Sequence, residues 1–353
     1  MDLRPIYGHD VLLDRLDGAL ASGRFPQATL FVGPPGVGKQ RLALWVAQGL
    51  LCEYGPGAPC GECGPCHRAL GLVHPDVHWF VPIPRPKASD PGKQIEEARD
   101  TLAALLEDRR QTALWTAPEG MASHSLASVR LLQRSVALTP FEGRRKVVIL
   151  GDAERLVVQE ASPEAANAML KVLEEPPADT TLILTAADPQ ALLPTIRSRL
   201  IPFRVPRVTD EAVRRFLTSE IDPPPEGHAL ERLVVLAEGG IGRALAGLDG
   251  AEDDADRAAQ ALLDAVRKGP EVWLPLALKQ PPWAARGDFS AALDALAVRI
   301  RARLEEGAAL EGAALRPWLE ALRRVERTRA EAQTNANPQL ALAVLAEDLE
   351  ALL

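Results

Sequence analysis

Ala28-Thr29-Leu30-Phe31-Val32-Gly33-Pro34-Pro35-Gly36-Val37-Gly38-Lys39-Gln40 joins an apolar run to a glycine-rich turn, and apolar residues at helical spacing (Leu42, Leu44, Val46, Leu50) follow it. Such a turn between a buried strand and a helix aims backbone N–H groups and a helix N-terminus at one point, which suits a phosphate group. Gly33, Gly36 and Gly38 shape the turn. Gly38 lets the backbone approach the phosphates, and Lys39 adds a point charge at the outer ones. The stretch reads as a P-loop, a site for ATP or ADP, rather than an empty strand-to-helix turn.

One position departs from the pattern. A P-loop follows its lysine with Ser or Thr, whose hydroxyl holds Mg²⁺, and here Gln40 stands instead. The same loss recurs after the apolar run Val147-Val148-Ile149-Leu150, a strand of the kind buried on both faces of a parallel sheet. The end of such a strand carries an acidic pair in P-loop ATPases, but this chain reads Gly151-Asp152-Ala153-Glu154, with glycine at the metal-ligand position. Phosphate binding is expected to survive while metal-assisted hydrolysis is impaired.

The chain has 353 residues, enough for two or three domains, with 47% hydrophobic and 25% charged residues, as in an ordinary globular protein. Its net charge of −8 argues against nucleic-acid binding over the whole surface, which needs clustered Lys and Arg. No apolar run approaches the length of a membrane helix, and Met1-Asp2-Leu3-Arg4-Pro5 shows no signal-peptide core, so a cytoplasmic protein with no membrane partner is expected.

All four cysteines, Cys52, Cys60, Cys63 and Cys66, fall in one window as C-x7-C-x2-C-x2-C. In an intracellular chain this reads as four thiolates around a structural Zn²⁺, with no open position for catalysis. His67 reads as a solvated loop histidine.

Further along, a leading helix is expected over residues 3–22 and a strand at 77–81. The proline-rich residues 82–93 read as an exposed loop, and 95–106 as a surface helix. Arg144-Arg145-Lys146 reads as a solvated turn. Helix 125–137, helix 165–173, strand 181–185, helix 192–197 and strand 201–205 continue the alternation, which means a parallel α/β sheet covered on both faces. From Pro206 strands stop: a small helical bundle runs to about residue 250, then a nearly all-helical region with breaks at Gly269-Pro270, Gln280-Pro281-Pro282 and Asn335-Ala336-Asn337-Pro338.

The ordered set of Gly33–Lys39, the cysteine module, His74-Pro75-Asp76, Ala168-Met169-Leu170-Lys171-Val172-Leu173-Glu174-Glu175-Pro176-Pro177 and Ser198-Arg199-Leu200 resembles the bacterial clamp-loader subunits of DNA polymerase III, of the AAA+ class. The resemblance runs over residues 5–250 and weakly through Asn335–Pro338. It implies an AAA+ P-loop domain over 1–205 with an inserted zinc module at 52–66, a helical lid over 206–250, and an all-α oligomerisation collar over 251–353.

Gln40 and Gly151 look like the delta-prime type of subunit rather than the hydrolysing gamma or tau type. The resemblance implies a stator in a pentameric hetero-oligomer with gamma/tau and delta subunits, which loads the sliding clamp on primed DNA. Arg199 lies where the family places a trans-acting arginine that reaches the γ-phosphate on the adjacent subunit, and Leu200 replaces the usual Cys after it. Thr185 lies at the sensor position and Arg243 at the lid's sensor arginine. Two rivals stand: an ATP-hydrolysing motor of the same fold using Lys39, Asp152 and Thr185, and a zinc-dependent nucleic-acid-binding module using Arg144, Arg145 and Lys146.

Overall fold

A computed structural model describes residues 5–111, 122–156, 164–248, 251–280, 288–306, 315–332 and 337–352. It divides into two compact units, Met1–Ala244 and Leu245–Leu353.

In the first unit, α1 (Asp10–Ala21) leads into β1 (Ala28–Val32), the P-loop and α2 (Lys39–Leu51), then α3 (Gly64–Leu70), β2 (Val77–Phe80) and β3 (Ile83–Pro84). There follow α4 (Pro91–Gln111), β4 (Ala122–Ser123), α5 (Leu126–Ala137), β5 (Lys146–Leu150), α6 (Glu164–Glu174), β6 (Thr180–Ala186), α7 (Pro194–Arg197) and β7 (Ile201–Arg204). Five strands form one parallel sheet in the order β2-β5-β6-β1-β7. Leu30, Phe31, Val147, Val148, Ile149, Leu182, Ile183 and Leu184 are buried with almost no exposure, as expected where helices cover both faces of a parallel sheet. This is an α/β P-loop architecture.

Three short helices complete the unit's end: α8 (Asp210–Glu220), α9 (Gly227–Ala237) and the start of α10 (Ile241–Leu248). Thr209 caps α8, its hydroxyl accepting from the Ala212 N–H at 3.2 Å, as its side chain predicts.

The second unit is helical: the rest of α10, then α11 (Ala251–Lys268), α12 (Pro270–Leu278), α13 (Asp288–Glu306), α14 (Arg316–Ala332) and α15 (Pro338–Leu352). Its own core gathers Leu262, Val266, Trp273, Leu293, Leu296, Ile300, Val325, Leu345 and Leu349. The break at Gly269-Pro270 falls between α11 and α12 as expected. Residues 281–287 and 333–336, which hold most of the other two breaks, lie outside the described residues.

Two expectations need correction. Residues 82–93 are not simply an exposed loop: Ile83 is buried and pairs with Ser123 in a two-stranded antiparallel ribbon, and α4 begins at Pro91. Helix α4 is the expected surface helix, longer at both ends than 95–106: Ile95, Ala98 and Leu102, at i, i+3 and i+7, are buried in the main core, while Glu96, Arg99, Asp100, Ala103 and Glu107 are exposed. Lys146 is no part of a solvated turn: it is 2% exposed, opens β5, and donates from Nζ to the carbonyls of Ser135 (2.6 Å) and Leu138. The long apolar stem lies in the core while the ammonium finds fixed acceptors.

Candidate functional site

The P-loop leaves the carboxyl end of β1, whose neighbours are β6 and β7, the edge at which open parallel sheets bind ligands. Gly36 takes φ +79° and Gly38 φ +91°, backbone conformations that side chains disfavour. Lys39 is buried and folded back: its Nζ donates to Gly33 O (2.8 Å) and Pro34 O (2.9 Å). Burial pushes its pKa down, and the charges of Asp152 and Glu154 partly restore it.

Gln40, the first departure from the motif, meets Gly151, the second. A Cβ built on Gly151 would lie 2.7 Å from Gln40 Nε2, 2.9 Å from Cδ and 3.0 Å from Oε1. The Gln40 amide therefore fills the space that a side chain at residue 151 would need, and its Nε2 donates to Asp152 Oδ2 at 3.4 Å. The positions expected to hold Mg²⁺ have become one interlocked pair. Their donor set, a carboxamide and a glycine, does not suit that ion.

Asp152 has φ +50°, and its N–H donates to Thr185 Oγ1 at 3.1 Å, so the buried Thr185, the expected sensor, is engaged inside the protein. Glu154 accepts from Ala187 N–H at 3.0 Å, and burial followed by the Asp152 charge raises its pKa. Behind this strand end, His124 is 2% exposed with Nε2 2.7 Å from Gly151 O. Burial holds its pKa down at about 4.

The loop is closed from the α9–α10 side. Gly242 N–H donates to Gly36 O at 2.8 Å, and a Cβ on Gly36 would lie 2.9 Å from both the backbone nitrogen and Cγ of Arg243. Arg243, the expected sensor, pairs with Glu238 Oε2 at 2.5 Å. From the other side, His9 Nε2 lies 2.8 Å from Val37 O, while Tyr7 stacks edge-on against Phe216 and donates to Glu220 at 2.6 Å. A segment ahead of α1 thus ties the P-loop to α8.

Sequence reasoning missed His9, His124, Glu238 and Arg109. Arg109, near the end of α4, lies over the Trp79 ring at 4.4 Å; burial lowers its pKa to about 10, with the Asp152 charge opposing. None belongs to a motif, and the tertiary fold alone brings them together. His74-Pro75-Asp76 gains a structural reading: the buried Asp76 carboxylate accepts from the N–H groups of Phe141 (2.5 Å), Glu142 (2.8 Å) and Gly143 (2.6 Å).

Arg199 sits at the opposite edge of the sheet. Ile201, the first residue of β7, is level with Thr29 of β1, four residues before Gly33. At 3.3 Å per residue that is about 13 Å short of the P-loop, and the chain reaches Ile201 from the far side. Arg199 is exposed, donates from Nη1 to Thr195 O (2.8 Å) and pairs through Nη2 with Glu174 Oε1 (2.6 Å). Leu200 is buried in the main core.

The four cysteine Sγ atoms all lie within 4.8 Å of one another, with Cys60–Cys66 at 3.9 Å and Cys52–Cys63 at 4.0 Å. Four thiolates at 2.3 Å from a tetrahedral Zn²⁺ stand about 3.8 Å apart, so the cluster fits the ion with little adjustment. The N–H groups of Glu62 and Cys63 donate to Cys60 Sγ at 3.4 and 3.3 Å, and these bonds hold its pKa at about 7. Burial pushes that of Cys66 up. Among the described residues, no helix is long and apolar enough to cross a membrane.

The family described as DNA polymerase III, delta subunit, matches residues 8–209. The DNA polymerase III subunit delta' of Pseudomonas aeruginosa is 34% identical over 214 residues, 60% of this chain and 52% of that one. That of Bacillus subtilis is 29% identical over 191 residues, covering 54% and 45%. The tau subunit of Salmonella typhimurium is 30% identical over 244 residues, 68% of this chain and 31% of its own. The match spans about half the length of the delta' relatives and less of the tau relative. A solved gamma subunit-related protein from Thermotoga maritima superposes with TM-score 0.48 at 18% identity, over 98% of this chain and 99% of that one.

Proposed function

Because the chain belongs to the DNA polymerase III delta-subunit family of clamp-loader proteins, we propose that it is a delta-prime-like stator, a subunit that does not hydrolyse ATP and completes its neighbour's active site. The observation that carries the reading is the interlock of Gln40 with Gly151, which removes both Mg²⁺-holding groups and fills their space. Arg199 supports it from the other edge: too far from its own P-loop to serve it, the guanidinium is exposed where a γ-phosphate of an adjacent gamma or tau subunit could meet it. In this reading 1–205 is the AAA+ domain, 206–250 a lid shut on a relic site that includes Thr185 and Arg243, and 251–353 the collar. The collar joins gamma/tau and delta subunits in a pentameric ring that loads the sliding clamp on primed DNA.

The test is clamp- and DNA-stimulated ATP turnover by the reconstituted assembly. Arg199→Ala is expected to lower turnover at the site it faces by about 10³, diluted in the total by the other sites of the ring. Lys39→Ala should change it little. The reverse pattern, loss with Lys39→Ala and none with Arg199→Ala, would identify a motor acting in cis.

Cys52, Cys60, Cys63 and Cys66 would hold a structural zinc that braces the chain after α2. One zinc per chain by elemental analysis is expected, with loss of thermal stability on chelation and a thiolate-to-metal absorption band on Co²⁺ substitution. Chain free of metal at full stability would break this assignment.

A further inference from the structure

We propose that Glu174 is a dock for Arg199, holding the arginine at home until a neighbour's triphosphate competes for it. The inference rests on the reading of Arg199 as a trans-acting residue, and adds a control that the reading does not contain.

Two elements grip two arms of the guanidinium fork: Glu174 Oε1 accepts from Nη2 at 2.6 Å and Thr195 O from Nη1 at 2.8 Å. Glu174 is the last residue of α6, an eleven-residue helix, and Glu175 follows it. Acidic side chains at that end oppose the helix macrodipole, so the position is unfavourable unless a cation comes to it. Arg199 is that cation. The dock is also fixed in place: Gln27, just ahead of β1, donates from Nε2 to Pro177 O at 2.5 Å and Pro176 O at 3.3 Å, pinning the turn directly after Glu174.

A carboxylate that stayed on the guanidinium while it stabilised a γ-phosphate would cancel the charge the transition state needs and repel the phosphate oxygens. The two partners are therefore exclusive. Both members of the pair are a third to a half exposed, and such pairs are weak. The dock accordingly scales the fraction of arginine free to engage, by a factor of a few, and yields once a polyphosphate with its greater charge is presented. Placement of Glu174 and Arg199 within one chain lets engagement respond to how closely the neighbour's nucleotide approaches.

The experiment measures ATP turnover by the complete assembly, with and without clamp and primed DNA, for Glu174→Gln, Arg199→Ala and the double variant. Gln keeps an acceptor for Nη2 and removes the charge. Glu174→Gln is expected to raise unstimulated turnover about two- to fivefold and to lower the half-saturating ATP concentration, with both effects absent in the Arg199→Ala background. Unchanged or lowered turnover with Glu174→Gln overturns the dock, while a loss with Arg199→Ala leaves the trans reading standing. If Arg199→Ala itself changes nothing, the trans reading falls and the dock with it.

Discussion

The two edges of one parallel sheet have gone different ways. At the carboxyl edge, the P-loop residues and their neighbours satisfy each other: Lys39 bonds its own loop, Gln40 fills the Gly151 space, Thr185 takes the Asp152 N–H, and Gly242 closes on Gly36. At the amino edge, Arg199 stands exposed, held by the Glu174 carboxylate and the Thr195 carbonyl. A site that closes on itself gains packing and loses ligand chemistry, whereas a residue that serves another molecule must remain reachable. On the proposed reading, loss of chemistry in cis need not touch a group that acts in trans, because the two are held by different strand ends.

The sharpest way to break this contrast is Arg199→Lys. If the exposed arginine works as a planar fork on a γ-phosphate, a lysine of equal charge loses the paired donors, and turnover at the neighbouring site should fall by about 10²-fold or more. Near-normal stimulated turnover in the assembly would mean that a positive charge alone suffices and that the fork geometry is incidental.

The closed edge should betray its dryness through pH. His124 is neutral there, with a folded pKa of about 4 against an ordinary value near 6.5. Above pH 6.5 both folded and unfolded states are neutral and the stability is complete. As pH falls through 6.5 toward 4, the unfolded state takes up a proton that the folded state refuses, and stability is lost, up to about 3 kcal/mol. Glu154, with its raised pKa, acts with the opposite sign as pH falls, so the comparison is with His124→Gln rather than with the absolute curve. Denaturant titrations from pH 7.5 to 4.5 should show a shallower loss in the variant. Parallel curves would mean that water reaches His124 and that this edge is more open than its contacts indicate.

Most of this contrast was legible in the sequence, and the reasons divide cleanly. Val147–Leu150 and Thr181–Thr185 are continuous apolar or β-branched runs, and Gly33–Lys39 fixes the turn between strand and helix, so the P-loop sheet followed from local pattern alone. Gln40 and Gly151 were each visible as departures. Their contact was not, because 111 positions separate them and only the pairing of β5, β6 and β1 brings them together. The same limit hid His124 behind Gly151 and Arg109 over Trp79, neither of which has a motif or a period to announce it. The ribbon within residues 82–93 was misread for a different reason: proline-rich sequence suggested that nothing there could pack, yet Ile83 is buried and pairs with Ser123. Lys146 was misread because its charge outweighed its place at the head of a buried strand.

A smaller effect tests the interlock directly. Gly151→Asp would restore the carboxylate at the metal-ligand position, but its Cβ would stand 2.7 Å from Gln40 Nε2. The obstacle is the tip of a flexible side chain rather than backbone, so the cost should be modest, about 2 kcal/mol of unfolding free energy. Gln40→Thr shortens the opposing side chain and should remove most of that cost, giving a coupling of about 1–2 kcal/mol in a double-mutant cycle read by denaturant unfolding. If Gly151→Asp costs the same with Gln or Thr at position 40, the two residues are independent losses rather than one adapted pair. The carboxyl edge would then be a decayed site that happens to be filled, and its contrast with the amino edge would rest on Arg199 alone.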